Sequence, residues 1–152
     1  MKNNFLNKPV ANIYFKPSHN SEVVSQILYG EKFKILLKRK KYLKIKTHYD
    51  NYIGYIKKDK FLENFKPSHK VSKIKSRIFF KKGKRFLSSK HYLYYGSGVC
   101  KRNENKKYIE FEKNKWIKKS DIKNIDHHEK NYIKIFKFFL NTKYLWGGKT
   151  CV

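Results

Sequence analysis

The chain has 152 residues and a formal net charge of +27, because 38 Lys and Arg residues stand against only 11 Asp and Glu residues. This length allows one ordinary domain or two small ones and excludes a large enzyme. Aromatic residues make up 17% of the sequence, which is enough apolar surface for folding and excludes a disordered polycation. The positive charge is almost all Lys and is spread along the chain, so we expect nonspecific, salt-sensitive attraction to polyanions, nucleic acid included.

The first residues, MKNNFLNKPVANIYFKP, contain no apolar run as long as that of a signal peptide. No stretch of the sequence is apolar over the length that a membrane-spanning helix needs. We therefore expect a cytoplasmic protein with no membrane partner. Cys100 and Cys151 are too few for a disulfide framework of the secreted kind, and we expect both to be reduced thiols.

Residues 10–63 and 75–126 form an internal repeat. The stretch IYFKPSHNSEVVSQILYGEKFKIL in the first copy corresponds in order and residue type to IFFKKGKRFLSSKHYLYYGSGVCK in the second. Further along, YLKIK and GYIKKDKFL in the first copy correspond to YIEFE and KWIKKSDIK in the second. The repeat predicts two small domains of the same type.

Alternating apolar and polar residues predict short β-strands within each copy. In the first copy the runs cover residues 33–37, 42–45 and 52–56. A hairpin turn is predicted between the last two runs, because Asp50 and Asn51 can adopt left-handed backbone angles. Gly30 and Gly96 mark tight bends at the start of a strand. Short strands at this spacing favour small barrels that curl on themselves to remove exposed edges.

The sequence after the second copy predicts one α-helix. Ile133, Phe136 and Leu140 recur at helical spacing and give the helix an apolar face. Asn141 and Thr142 follow and can end it. The predicted fold class is therefore mainly β, with two small barrels in tandem followed by one C-terminal α-helix.

The first copy resembles the bacterial SH3-like domain. The pattern of that family contains an early apolar strand, a Pro-Ser segment, an L-x-G-E bend, a W/Y-x-x-V/I strand and a closing G-W/Y-I/V-x-x-x-x-L. The residues at these places are Val10, Pro17, Ser18, Leu28, Gly30, Glu31, Tyr42, Gly54, Tyr55 and Leu62. The second copy keeps Tyr95-Gly96 and Trp116-Ile117 but lacks the Pro-Ser pair and the acidic residue after glycine. The resemblance implies that both barrels are SH3-like.

The stretch YIKIFKFFLNTKYLWGG resembles the entry to the NlpC-type cell-wall cysteine peptidases, an amphipathic helix followed by G/N-T-x-Y-x-W-G-G. Two bacterial SH3-like domains ahead of such a domain are the arrangement of the γ-D-glutamyl-L-diamino acid endopeptidases, hydrolases that cut murein peptides during cell-wall recycling. The resemblance implies SH3-like domains at residues 1–66 and 67–126. Residues 127–152 would then begin a peptidase domain.

The catalytic nucleophile of that family has no counterpart here. In the family it is the Cys of a D-C-S-G motif, activated by a His far downstream. Cys151 follows the Trp-Gly-Gly sequence too closely and is preceded by Thr150 rather than Asp. His127 and His128 are expected in a solvated linker. We therefore expect no catalytic residue, metal or cofactor, and interpret the chain as the non-catalytic, substrate-binding portion of such an endopeptidase, truncated before its catalytic Cys.

Substrate-binding residues implied by the resemblance lie mainly in the first copy. In the family this domain helps to wall the peptidase cleft and restricts it to short peptides with a free amino end, which need an aromatic face and acidic partners for an ammonium group. The candidates are Tyr14, Tyr29, Glu31, Tyr42, Tyr55, Asp59, Tyr144 and Trp146. Tyr52 and Asp50 are further candidates of the same two kinds. Ordinary packing in the barrel is the alternative for each tyrosine.

A second function class stays open, that of a small basic β-barrel protein that binds nucleic acid. Lysines interleave with aromatic residues at residues 38–46 (KRKKYLKIK) and 73–86 (KIKSRIFFKKGKRF). The same alternation is typical of the solvated face of a strand. The two expected partners are thus peptidoglycan-derived peptides and, through net charge, nonspecific nucleic acid.

Overall fold

The computed structural model describes residues 3–143 and 145–150. The described chain divides into two compact units. The first contains residues 3–65 and 145–149, and the second contains residues 66–143 together with Thr150. The predicted fold class is confirmed, because both units are mainly β with antiparallel strands, and the one α-helix of the described residues follows the last strand.

The first unit contains one seven-stranded antiparallel sheet. Its strands are β1 (Asn4–Phe5), β2 (Val10–Tyr14), β3 (Val23–Leu28), β4 (Lys32–Lys38), β5 (Tyr42–Thr47), β6 (Ile53–Lys57) and β7 (Leu62–Glu63). They are hydrogen-bonded in the order β3-β2-β6-β5-β4-β1-β7, so β3 and β7 are the end strands. The two-residue β1 and β7 extend the ladder only briefly, and the described residues form an SH3-like sheet with two ends rather than a closed ring of strands.

Alternation along the strands directs one set of side chains into the core of the first unit. In β5 the buried residues are Leu43, Ile45 and Thr47, and the residues between them are half-buried. The core cluster consists of Leu6, Ile13, Ile27, Phe33, Leu43, Ile45 and Ile56. Full burial of one aliphatic side chain of this size contributes about 1.5–3 kcal/mol to folding. The same alternation leaves tyrosines and lysines on the outer face of the sheet.

Two positions in the first unit require either the absence of a side chain or a left-handed backbone conformation. A β-carbon on Gly54 would lie 2.4 Å from Cγ2 of Ile13 and 2.9 Å from the carbonyl oxygen of Tyr14, so glycine there permits the close approach of β6 to β2. In the turn between β5 and β6, Asn51 has a φ of 57°. The predicted hairpin turn is confirmed, with Asn51 rather than Asp50 in the left-handed region.

The second unit contains two antiparallel sheets in place of one. Its strands are β8 (His69–Val71), β9 (Lys75–Lys82), β10 (Arg85–Tyr94), β11 (Gly98–Val99), β12 (Asn103–Glu104), β13 (Tyr108–Glu112), β14 (Lys115–Lys118) and β15 (Ile122–Asn124). The five-stranded sheet has the order β10-β9-β14-β13-β12, and the three-stranded sheet has the order β11-β8-β15. A 3-10 turn, Lys119–Asp121, separates β14 from β15. The Ser76 hydroxyl donates a hydrogen bond of 2.8 Å to Asp121 and so ties β9 to this turn.

The helix α1 (Tyr132–Phe139) also belongs to the second unit. The Asn131 side chain caps its N-terminus by accepting a backbone N–H of the first turn. Asn141, with a φ of 64°, follows its C-terminus, as predicted. Tyr95 packs against Phe138 and Phe139, with ring centroids 6.4 and 6.2 Å apart. None of the described helices combines the length and the apolar composition needed to cross a membrane.

Candidate functional site

An ammonium group lies between two carboxylates in the first unit. Lys149 Nζ is 3.3 Å from Glu31 Oε1 and 3.0 Å from Asp50 Oδ2. The three side chains are only 19–29% exposed, so solvent screens this contact less than it screens an ion pair on an open surface. We call Glu31 and Asp50 the acidic pair.

Each carboxylate of the acidic pair is oriented by a hydrogen bond within its own turn. Glu31 precedes β4 in a turn where Gly30 has a φ of 74°, and its Oε2 accepts the N–H of Leu28 at 2.8 Å. Asp50 lies in the turn between β5 and β6, where the Thr47 hydroxyl donates to Oδ1. Because both turns already orient the carboxylates, a bound cation requires little further ordering of these side chains.

Asp50 stays ionised to lower pH than an ordinary aspartate. Burial by itself would raise the pKa of Asp50, but the hydrogen bond from Thr47 and the ammonium of Lys149 outweigh burial and hold the pKa below its ordinary value of 3.8. Asp50 is therefore a carboxylate throughout the physiological pH range.

Residues 145–149, which we call the Trp-Gly-Gly segment, lie against the end strand β3. The N–H of Lys149 donates to Gln26 Oε1 at 2.8 Å, and Gln26 in turn donates to Asn12 Oδ1 at 3.0 Å. Gly147 has a φ of 67°, and a β-carbon there would lie 2.6 Å from the backbone carbonyl of Val24. Glycine at this position therefore permits the segment to approach β3 closely.

Three of the predicted tyrosines meet on the outer face of the first sheet, and we call Tyr14, Tyr42 and Tyr55 the tyrosine cluster. Tyr14 and Tyr55 are directly opposite each other on β2 and β6. The rings of Tyr14 and Tyr42 meet edge to face with centroids 6.3 Å apart. Lys44 Nζ lies 5.9 Å from the centroid of the Tyr55 ring. All three tyrosines are half-buried, so each ring is partly packed and partly accessible.

Two predicted residues of the first copy lie apart from these groups. Tyr29 is only 1% exposed and packs edge to face against Phe65, so its ring belongs to the core and does not reach the surface. Asp59 forms an ion pair with Lys8, and the hydrogen bond from this lysine lowers the pKa of Asp59 below its ordinary value. Asp59 already has its own cationic partner and is not part of the acidic pair.

The predicted residues near the C-terminus are only partly described. Trp146 is 60% exposed on the Trp-Gly-Gly segment. Tyr144 and Cys151 lie outside the described residues. Among the described residues, no group of three or more His, Cys, Asp or Glu side chains could hold a metal ion.

Sequence reasoning missed Lys149 and Gln26. Lys149 Nζ is bound by Glu31, a residue 118 positions away in the chain, and the Lys149 N–H is bound by Gln26, 123 positions away. Neither residue belongs to a motif with a defined chemistry. The available signal was the position of Lys149 directly after the Trp-Gly-Gly sequence, in a chain with few carboxylates for its many lysines.

Residues 13–61 match the family described as the bacterial dipeptidyl-peptidase SH3 domain. The chain is also similar to the crystal structure of an NlpC/P60 family protein from Bacillus cereus ATCC 10987, with a TM-score of 0.76 and 14% sequence identity. The likeness covers 96% of this chain and 66% of the other, so this chain spans just under two thirds of that protein. No curated protein matches the chain. The predicted resemblance to the SH3 region of NlpC-type peptidases is therefore confirmed, for the SH3 family over residues 13–61 and for the fold over nearly the whole chain.

Proposed function

From this family match and fold, we propose that the chain is the substrate-binding portion of an NlpC-type cell-wall peptidase and binds murein-derived peptides with a free amino end. The SH3 family match supports a binding module associated with a peptidase. The finer assignment, to γ-D-glutamyl-L-diamino acid peptides released in cell-wall recycling, rests on the tandem order of the repeat, the helix and the Trp-Gly-Gly sequence.

The observation that carries the proposal is the acidic pair with an ammonium between its two carboxylates. The α-ammonium of a free peptide has the same charge and the same three N–H donors as Lys149 Nζ. The two oriented carboxylates of Glu31 and Asp50 are therefore suited to hold it. An amide nitrogen has no charge and would lose this interaction. The site should therefore bind peptides with a free amino end more tightly than peptides whose amino end is acylated.

Binding in this way requires the Lys149 side chain to withdraw. Its backbone N–H is held separately by Gln26, so the Trp-Gly-Gly segment can stay docked while Nζ leaves. A lysine side chain has four rotatable bonds, and solvation of its free ammonium offsets part of the cost. Lys149 is thus a competitor for the acidic pair, and the ligand takes the place of its ammonium.

The tyrosine cluster is the proposed apolar wall for the rest of the peptide. Tyr14, Tyr42 and Tyr55 each leave part of a ring accessible, and a rigid aromatic side chain gives contact area at low entropic cost. Tyr29 has no part in this wall because its ring is buried.

Calorimetric titration with L-Ala-γ-D-Glu-diaminopimelate tests the proposal. We expect binding to weaken by about 10- to 100-fold when only the alanine nitrogen is acetylated, since a charge-assisted hydrogen bond is worth about 1.5–3 kcal/mol. Glu31→Gln and Asp50→Asn should cause losses of the same order, whereas Lys149→Met should strengthen binding.

The matched control is Asp59→Asn, which removes a carboxylate that is bound to Lys8 outside the acidic pair. It should change the affinity by less than about twofold. Equal binding of the free and acetylated peptides would show that the acidic pair does not recognise the amino end of the peptide. If neither peptide binds, peptide binding itself is refuted.

A further inference from the structure

The second unit has an unbalanced basic region that the proposed function does not use. Between Glu63 and Glu104 the sequence has nine Lys and three Arg and no Asp or Glu. Much of this region is the hairpin of β9 and β10, residues 75–94, which we call the basic hairpin. Its strands pair from Lys75 opposite Tyr94 to Lys82 opposite Arg85.

The cations of the basic hairpin have no ion pairs among the described residues. The ion pairs of the second unit use Glu104, Glu112 and Glu129, and their lysines are Lys101, Lys115, Lys119 and Lys134. All of these lysines follow the hairpin in the sequence. The uncompensated charge of the hairpin therefore creates a local positive potential that an anionic ligand would lower.

Three of the hairpin cations form a row along one face of β9. Lys75, Arg77 and Lys81 are all exposed and occupy alternating positions of the strand, with Phe79 between the last two. Neighbouring positions on one face of a strand are about 6.6 Å apart. The row thus spans about 20 Å, three times that spacing, which suits an extended chain of negative charges better than a single small anion.

Aromatic rings hold these cations in place. Lys75 Nζ and Arg77 Cζ lie 5.0 and 4.6 Å from the centroid of the Tyr92 ring, and Lys81 Nζ lies 5.6 Å from that of Trp116. At these distances each cation is attracted by the face of its ring. The cations are therefore pre-ordered on the strand surface rather than free to move as long side chains normally are.

The same rings are poorly placed to stack with nucleobases. Tyr92 and Trp116 already have cations over them. Phe86 is stacked on Tyr108 with centroids 4.3 Å apart and meets Trp116 edge to face. Binding of unpaired bases needs accessible aromatic faces. On the face of β9 that carries the row, the geometry thus favours recognition of backbone charge over recognition of bases.

We propose that the basic hairpin binds a linear phosphodiester polymer through Lys75, Arg77 and Lys81, by its backbone charge and without base contacts. Arg77 donates one N–H to the carbonyl oxygen of Ser89 at 2.9 Å, which fixes its guanidinium and leaves further donors for a phosphate. A polyol-phosphate polymer and a nucleic acid backbone share this chemistry, and the polymer without bases is the one that the covered rings favour. This inference is independent of the peptide-binding proposal, which concerns only the first unit.

Fluorescence anisotropy with a labelled abasic phosphodiester 15-mer, at about 0.15 M salt, tests the proposal. The triple variant Lys75→Gln, Arg77→Gln, Lys81→Gln should bind at least about tenfold more weakly than the native chain. Its plot of log K against log salt should be shallower by about 2, because each phosphate contact on a single strand contributes about 0.7 to the slope.

The matched control removes the same three charges from the first unit, as Lys34→Gln, Lys38→Gln, Lys40→Gln, all of which are exposed. It should weaken binding by less than about threefold. A second variant, Lys75→Arg with Lys81→Arg, keeps the charge row and should retain native affinity, which separates loss of charge from loss of fold.

Two results would overturn the proposal. If the control triple weakens binding as much as the hairpin triple, the interaction depends only on net charge and the hairpin is not a site. If an oligo-dT 15-mer binds more than about fivefold tighter than the abasic 15-mer, base contacts are made and the partner is a nucleic acid. Similar affinity for both 15-mers, with a selective loss in the hairpin triple, supports the proposal.

Discussion

Asp50 and Lys149 set the chemistry of the first unit at the scale of single residues. The sequence indicated Asp50 and Glu31 as carboxylates for an ammonium group, and the structure brings these two together while leaving Asp59 with Lys8. The sequence could not indicate which lysine binds between the two carboxylates, because it contains 34 Lys residues and no motif distinguishes Lys149 from the others. Side-chain pairing over more than 90 residues depends on the fold and not on local spacing.

The contact of Lys149 with Asp50 should depend on pH. The folded pKa of Asp50 lies below its ordinary value of 3.8, so the contact stabilises the folded state fully above about pH 4. That stabilisation is lost as the pH falls through the lowered pKa, because the folded protein must then take up a proton. The NMR signal of the Lys149 backbone amide, followed from about pH 2 to about pH 6, should show this transition, because that range brackets the ordinary carboxyl pKa.

Asp50→Asn is the control for the pH titration. In that variant the transition due to Asp50 should vanish. An unchanged curve in Asp50→Asn would show that Asp50 does not hold Lys149 in solution.

At the scale of elements, the sequence predicted strands where alternation runs for several residues. The strands β4, β5 and β6 of the first unit are of this kind. The sequence did not predict β1, β7, β11 and β12. Each of these strands has only two residues, which is too few to show alternation, and its pairing depends on neighbouring strands. The docking of the Trp-Gly-Gly segment on β3 also escaped prediction, since Gly147 contacts a backbone that is distant in sequence.

The helix α1 should promote self-association through its uncovered face. Ile133 and Phe136 are 68% and 72% exposed, whereas Phe138 packs on Tyr95. Replacing Ile133 and Phe136 with Ser should lower light scattering at high protein concentration and change the unfolding free energy by less than about 0.5 kcal/mol.

The paired test for α1 is Phe138→Ser, which removes a packed ring. We expect it to reduce helix protection in hydrogen exchange, because the contact with Tyr95 is lost. Monodisperse native protein with strong protection over residues 133–140 would contradict the predicted self-association.

At the scale of the whole molecule, a net charge of +27 acts against the folded state. Compact like charges repel one another more than the same charges on an expanded chain. Raising the salt concentration from about 0.01 to 0.1 M shortens the screening length from about 30 to 10 Å. We expect the melting midpoint, followed by circular dichroism, to rise by about 4 °C or more over that range, which corresponds to about 1 kcal/mol for domains of this size.

The variant with Gln at Lys34, Lys38 and Lys40 provides the comparison for this salt effect. It removes three positive charges that have no ion-pair partner among the described residues, and its midpoint should rise less with salt. A midpoint that falls with salt would mean that ion pairs such as those of Lys149 outweigh the overall repulsion.

The repeat itself predicted two units of one type, yet the second forms two sheets where the first forms one. In both copies a strand ends two residues before the glycine and the next strand begins two residues after it, at Gly30 and at Gly96. The strands on either side of Gly30 belong to one sheet, whereas those on either side of Gly96 belong to different sheets. Because the two copies correspond in residue type, the same positions are apolar in both. This correspondence does not specify at which residue the chain passes from one sheet to another.

A substitution at Gly147 can change ligand binding without changing any group that contacts the ligand. Any side chain there would collide with the carbonyl of Val24 and would also be strained at a φ of 67°. Such a substitution would push Lys149 away from Glu31 and Asp50 without altering a single charged atom. A mutational scan scored by ligand capture would therefore show the same gain in binding for substitutions at residue 147 as for Lys149→Met, although the contribution of Gly147 is purely one of available space.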